Sequence, residues 1–356
     1  MSVPTMEALV LHAVGDLRHE RIATPSPGAG EVLIRVGFCG VCGSDVPRIF
    51  QKGAHRLPIV CGHEFAGVVQ ATGADAGPWR AGDRVAVFPL LWCGHCDACE
   101  QGHYVQCADY DYLGSRRDGA FAEYVVAPVR NLVRVPEGVS LEEAAMCEPA
   151  AVALHALRRT RRDLCAKTVA IFGAGPIGLM TGQWARAMGA TPLLFDIDPQ
   201  RIALAREMAL GAYCTVDTPA QTIVEEASSG KGAHLAIEAA GVPATLTAAI
   251  EAARRGGAVV LLGNPSSDVT LPAALISRMM RREIDLVGTW NSDYSAAGND
   301  DDWSAAIAAM AAGTIRLQRL VTHRAPLGEG VQVLRDLAER RGFFGKVLIQ
   351  PDPDAR

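Results

Sequence analysis

Thr168-Val169-Ala170-Ile171-Phe172-Gly173-Ala174-Gly175-Pro176-Ile177-Gly178-Leu179 decides the fold class of this chain. A short apolar run suited to a buried strand enters a glycine-spaced turn, and a helical stretch over 179–188 follows. Glycines at 173, 175 and 178 permit the tight turn, the close approach of a pyrophosphate and close packing of helix on strand, while the helix N-terminus supplies N–H donors and positive potential. Gly173, Gly175, Pro176, Ile177 and Gly178 are therefore the expected cofactor contacts. Glycine spacing alone carries little weight. Here the next apolar run, Leu193-Leu194-Phe195, ends at Asp196, about 20 residues on, where a carboxylate can accept hydrogen bonds from an adenosine ribose. That carboxylate would repel a 2′-phosphate, so NAD is expected rather than NADP. An aspartate at a strand end also caps helices. Arg201 lies either near the adenosine or on a solvated helix face.

Outward from this turn the chain keeps a strand–helix rhythm, with apolar runs at 193–196, 234–238, 258–262 and 284–289. That rhythm predicts a parallel sheet wrapped by helices. Before it, from residue 6 to about 135, short β-branched runs at 31–37, 65–70, 84–88 and 122–127 alternate with Gly and Pro turns, which predicts an irregular, mostly antiparallel β domain. A helix is expected over 141–159, and after residue 302 helices near 303–313 and 331–340 precede a strand at 346–349. No internal repeat or low-complexity tract is visible.

The 356 residues fit two domains, and 49% hydrophobic with 21% charged residues is ordinary for a globular enzyme. A net charge of −5 gives no drive toward nucleic acid or anionic lipid. The first twenty residues lack a basic segment followed by an apolar stretch, and no window approaches the roughly 18 apolar residues of a membrane span. The expected location is the cytoplasm, where clustered cysteines are metal ligands rather than disulfides.

Cys93, Cys96, Cys99 and Cys107 form C-x2-C-x2-C-x7-C in a loop with almost no apolar side chains. Four thiolates around a tetrahedral zinc would hold such a loop and close the metal's coordination, which makes it a structural site. A reacting zinc needs an open position and fewer protein ligands. Cys42 in Gly40-Val41-Cys42-Gly43-Ser44-Asp45, His63 and Glu64 in Gly62-His63-Glu64, and Glu148 before Pro149 offer them.

In order and spacing, CGxCGSD, GHE, the four-cysteine lobe, EPxxVxxHA and the nucleotide turn resemble the medium-chain, zinc-containing alcohol and polyol dehydrogenase superfamily over essentially the whole chain. Within it the chain is most similar to galactitol-1-phosphate 5-dehydrogenase-like enzymes, through residues 42–50, Gly53-Ala54-His55, residues 114–119 and Gly288-Thr289-Trp290-Asn291. The resemblance implies an α/β fold: a doubly wound Rossmann domain over 152–291, and a GroES-like, mostly antiparallel β catalytic domain over 1–151 and 292–356 with a zinc lobe at about 90–110.

The resemblance also implies two zinc ions per subunit, one of them held by Cys42, His63 and Glu148 with Glu64 able to enter its shell. Cys147 competes for the third position, since some relatives use a cysteine there. Neighbouring helix positions point about 100° apart, so only one of the pair reaches the metal, and the polyol-branch pattern selects Glu148. Asp45 is expected to orient His63 or to cap its turn. Ser44 passes the substrate proton onward. Alcohol dehydrogenases place a histidine where this chain has Pro47, so proton exit runs through water, the cofactor ribose or His55. A polyol or polyol phosphate is the implied substrate, with Arg48, Lys52, Arg116 and Arg117 available as a cationic clamp and Phe121 and Trp290 as pocket walls. Relatives form homodimers and homotetramers, often across a nucleotide-domain edge such as 284–289.

Overall fold

The computed structural model describes residues 4–216, 218–296 and 300–354. The chain divides into two compact units, one comprising Met1–Glu148 and Asp293–Arg356, the other Pro149–Ser292.

Among the described residues, Pro149–Ser292 builds a six-stranded parallel sheet in the order Gly211–Cys214, Thr191–Asp196, Thr168–Phe172, Ala233–Glu238, Ala253–Leu261, Asp285–Gly288. Every residue of Thr168–Phe172 is buried. That is why the run is continuously apolar rather than alternating, because helices cover both faces of a parallel sheet. Phe172 and Phe195 stack at 5.2 Å within this core. The chain first adds strands on one side of Thr168–Phe172 and then on the other, so the order reverses there, and the glycine turn leaves the carboxyl end of that strand. In open α/β sheets this is where ligands bind. Asp285–Gly288 forms the far edge, mostly exposed.

The other unit is built on antiparallel pairing. Glu31–Gly40 is its central strand, paired with Glu64–Thr72, Tyr124–Pro128 and Lys346–Gln350. Arg84–Val87 and Leu132–Arg134 extend the sheet on one side, and Val321–Pro326, parallel to Lys346–Gln350, on the other. A hairpin of Thr5–Ala13 and Asp16–Ala23 carries Leu9, Leu11 and Leu17 into a core shared with Ile34, Phe65, Phe121 and Ile349. The charged run Arg18-His19-Glu20-Arg21 conceals this hairpin in the sequence.

The helix expected over 141–159 is two helices, Leu141–Ala144 and Cys147–Arg158. Pro149 explains the break. It has no N–H to donate to the carbonyl of Ala145, and its ring would clash there, whereas in the first turn of a new helix that N–H has no partner to lose. Ser140 starts the first helix by accepting the N–H of Glu143 at 3.2 Å. The consequence is positional, for Glu148 becomes the second residue of a helix instead of a mid-helix side chain. Among the described residues no helix is long and apolar enough to cross a membrane.

Candidate active site

Cys42 follows the end of Glu31–Gly40, His63 immediately precedes the neighbouring strand and Glu64 opens it, with Gly40 paired opposite Glu64. The pairing sets the site. A Cβ at Gly40 would stand 2.3 Å from Glu64 Oε2, so only glycine leaves room for that carboxylate. Ligand atoms of Cys42, His63 and Glu64 lie within 4.8 Å of one another, close enough to share one metal ion.

Asp45, 0% exposed, braces this cluster. Its Oδ2 accepts the N–H of Cys42 at 2.9 Å and its Oδ1 accepts Arg48 Nη1 at 2.6 Å, while His63 Nδ1 lies 3.4 Å from Oδ1. Burial pushes the Asp45 carboxyl up, but His63, Arg48 and the Cys42 N–H outweigh it and hold it below the ordinary carboxylate range. Nδ1 of His63 is buried without a hydrogen bond but faces this carboxylate at ion-pair distance, so Nε2 is the nitrogen left for a cation. Ser44 is exposed beside them, its Oγ 3.5 Å from Arg48 Nη2.

Glu148 is 8% exposed. Tyr112 donates its hydroxyl to Glu148 Oε1 at 3.4 Å and sets its ring edge against His63, centroids 5.8 Å apart. Burial, and then the charge of Glu64, push the Glu148 carboxyl up to about 7, against the pull of His63 and Lys346. Two crowded carboxylates of this kind are eased by a cation. Cys147 faces elsewhere, its Sγ 3.7 Å from the carbonyl of Trp303.

Two residues here were not foreseen from sequence. Lys346 is a buried ammonium that contacts Glu64 Oε2 and donates to the carbonyl of Val41 at 3.0 Å. A lysine opening a strand whose next three residues, Val347, Leu348 and Ile349, are apolar is the signal that marks it, since a buried charge must find an anion. Tyr112 sits in a two-residue strand and carries no comparable mark.

Each foreseen substrate residue has its own surroundings. Arg48 is engaged by Asp45. Arg116 stacks on Tyr110 at 4.3 Å and donates to its carbonyl, and Arg117 pairs with Asp111. Phe121 is fully buried beneath Gly62, where a Cβ would lie 2.6 Å from its ring. His55 and Lys52 are exposed, and Trp290, in the other unit, is 54% exposed.

The four-cysteine loop has gathered its sulfurs within 4.8 Å of one another, with Cys93 and Cys99 Sγ 4.0 Å apart. Tetrahedral Zn–S bonds of about 2.3 Å require sulfurs about 3.8 Å apart. Gly94 and Gly102, at φ +85° and +78°, make the turns that bring them round. Backbone N–H groups of Ala108 and Cys99 draw the Cys96 thiol down to about 6, while burial pushes Cys99 up to about 12. The donor set fits a structural zinc.

In the nucleotide turn, a Cβ at Gly178 would strike the carbonyl of Gly173 at 1.8 Å, and Gly173 has φ +108°. Those two glycines serve the turn itself. Gly175 differs, because a Cβ there would meet nothing nearer than Arg201 Nη1 at 3.9 Å. It caps a helix whose first residues are Pro176 and Ile177, leaving an open approach to the helix N-terminus of the kind a pyrophosphate uses. Asp196 accepts the N–H of Ala174 at 2.8 Å and that of Asp198 at 3.0 Å, with Arg201 Nη1 3.4 Å away. Arg201 is thus held beside the two aspartates.

Comparison with known proteins agrees with both units. Residues 28–137 match the alcohol dehydrogenase GroES-like domain, and residues 176–312 match the zinc-binding dehydrogenase family. The chain is 37% identical over 324 residues to galactitol 1-phosphate 5-dehydrogenase of Escherichia coli, covering 90% of this chain and 92% of that one. It is 33% identical over 358 residues to sorbitol dehydrogenase of Bacillus subtilis, covering 98% of each. The crystal structure of galactitol-1-phosphate dehydrogenase from Escherichia coli superposes with a TM-score of 0.90 at 35% identity, covering 97% of this chain and 100% of that one. The chain belongs to the zinc-dependent medium-chain alcohol and polyol dehydrogenase family.

Proposed function

We propose that this dehydrogenase oxidises a secondary hydroxyl of a polyol or polyol phosphate to the ketone, with NAD as acceptor. The carrying observation is that ligand atoms of Cys42, His63 and Glu64 gather within 4.8 Å of one another, with Glu148 outside that group but buried within reach of the charges of Glu64 and His63, while Cys147 turns to Trp303. Cys42, His63 and Glu148 would hold one zinc ion with Glu64 beside it, and Cys93, Cys96, Cys99 and Cys107 a second. When bound, zinc and nicotinamide supply Lewis-acid polarisation of the hydroxyl and a hydride acceptor. This chain's residues do the rest. Asp45 fixes the ring of His63 and the backbone of Cys42, and Arg48 neutralises Asp45 on its outer side. Ser44, exposed next to Cys42, takes the substrate's proton and passes it to water, because Pro47 offers no further group. Glu64, anchored by Lys346, is a carboxylate in reserve for the metal.

A substrate resembling galactitol 1-phosphate is favoured by the 37% identity to that enzyme. A second reading, an unphosphorylated sugar alcohol or cyclitol, is favoured by the arginines. Arg48, Arg116 and Arg117 are already engaged by Asp45, Tyr110 and Asp111, which leaves Lys52 as the remaining member of the foreseen clamp. An NAD-reduction screen over paired polyols and polyol phosphates decides. The first reading expects galactitol 1-phosphate to exceed galactitol in kcat/KM by at least about tenfold, the effect of one charge-assisted contact. Equal turnover of the two would sink it.

For the cofactor, Gly173, Gly175, Pro176, Ile177 and Gly178 would receive the pyrophosphate and Asp196 the ribose hydroxyls. Asp196→Ala is expected to raise KM for NAD on the order of tenfold or more through a lost hydrogen bond to a charged group. It should also raise the relative use of NADP, because Arg201 is released toward a 2′-phosphate. Unchanged KM for both dinucleotides would remove Asp196 from the site.

The proposed partner is a second copy of the chain, giving a dimer or tetramer through the edge strand Asp285–Gly288, on which Leu286 is 42% exposed. Leu286→Lys should shift the mass measured by light scattering toward the smaller species, and an unchanged mass would place the interface elsewhere.

A further inference from the structure

Strand Ala253–Leu261 starts opposite Ala233, then resumes at Ala258 opposite Leu235. Arg254, Arg255, Gly256 and Gly257 therefore stand against His234 alone and bulge out of the ladder, with Gly256 at φ +63°. Arg162 fastens the bulge, donating to the carbonyl of Gly256 at 2.8 Å and pairing with Asp285 at 2.6 Å. The bulge presses Arg254 Nη1 against His234 Nε2 at 2.5 Å and carries Arg255 to the carbonyl of Arg281 at 3.2 Å. With Lys231 and Arg282 these arginines line a cavity of about 350 Å³.

The positive charge of this cavity is not balanced by pairing. Arg254, Arg255 and Arg282 donate to backbone carbonyls, and among the described residues none of the three, nor Lys231, forms an ion pair with a carboxylate. The acids on the wall are occupied, Glu251 by Arg278 at 3.0 Å and Glu225 by Gln221 at 2.7 Å. His234 registers the field. Burial, and then the charges of Arg254, Lys167, Lys231 and Arg162, hold its imidazole below the ordinary range, and its Nδ1 is buried without a hydrogen-bond partner. The cavity opens at the amino ends of the strands, whereas the glycine turn and Asp196 lie at their carboxyl ends.

We propose that this cavity is a second ligand site of the nucleotide-binding unit, selective for a small phosphate-bearing solute. Guanidinium forks with an ammonium match the oxygens of a phosphate better than those of a single carboxylate. The volume falls in the range of small-molecule pockets, which suits a small solute rather than an extended polyanion or a membrane surface.

The test is hydrogen–deuterium exchange of the full zinc-loaded chain with inorganic phosphate against sodium chloride of equal ionic strength. Protection is expected in peptides covering 228–234 and 253–258, and it should be absent from the double variant Lys231→Gln/Arg255→Gln. Both side chains are exposed, so the variant should keep its melting temperature. Calorimetric titration with phosphate should show at least about fivefold weaker binding in the variant. Protection confined to the glycine turn, protection that survives in the variant, or protection by anionic vesicles and not by phosphate would each overturn the proposal.

Discussion

Cys42→Ala is expected to lower turnover by about three to five orders of magnitude and to reduce bound zinc from two ions per chain to one. The first effect follows from losing a Lewis acid that stabilises charge by several kcal/mol, each 1.36 kcal/mol being tenfold in rate. The second follows from geometry. Cys42, His63 and Glu64 form one donor group, and Cys93, Cys96, Cys99 and Cys107 form another with no shared residue, so emptying one leaves the other's ligands intact. Metal analysis and steady-state kinetics on the same preparation separate the two effects. His63→Ala should reproduce both. Asp45→Asn should instead weaken zinc at the first site by about 10- to 100-fold while retaining measurable turnover at saturating metal, as expected of a group that orients a ligand. Two zinc ions retained in Cys42→Ala would show that Cys42 is not a ligand.

How much of this was legible before the fold was known depends on whether each signal is local in the chain. The glycine turn and the four-cysteine loop are local, because each is one short segment whose residue types are forced by a turn or by a metal. The parallel sheet was legible through its unbroken apolar strands such as Thr168–Phe172. The choice of Glu148 over Cys147 came from family resemblance, and only packing against Trp303 supplies a physical reason for the cysteine to turn away. Pro149 could have predicted the helix break, since a proline nine residues into a presumed helix removes a backbone donor. The partners of the arginines were not legible, because a charged loop residue gives no sign of its partner, and Asp45, Tyr110 and Asp111 engage them only in three dimensions. Lys346 lies 282 residues from Glu64, and no pattern in either segment announces the pairing of Lys346–Gln350 with Glu31–Gly40 that joins them.

That lysine supports the second large effect. Lys346 and Glu64 side chains are 3% and 2% exposed, so neither can turn to water if the other is removed. Burial alone would lower the lysine's pKa, but Glu64 and then Cys42 raise it above the ordinary range, which keeps the ammonium charged. Lys346→Met removes the charge and keeps most of the volume, leaving the Glu64 carboxylate buried near Glu148. Breaking a buried pair from one side costs about 3–5 kcal/mol, whereas replacing both members can be nearly neutral. Urea unfolding of the zinc-loaded protein should therefore show Lys346→Met destabilised by about that amount. Lys346→Met/Glu64→Gln should recover most of it, a coupling of about 2 kcal/mol or more. Activity should not recover with stability, because the double variant has lost the carboxylate beside the metal as well as its anchor. A single variant within about 0.5 kcal/mol of the wild type, the usual range for a surface substitution, would mean that Glu64 is held by something other than Lys346. The pattern of stability regained without turnover separates an anchoring ammonium from one that merely fills space.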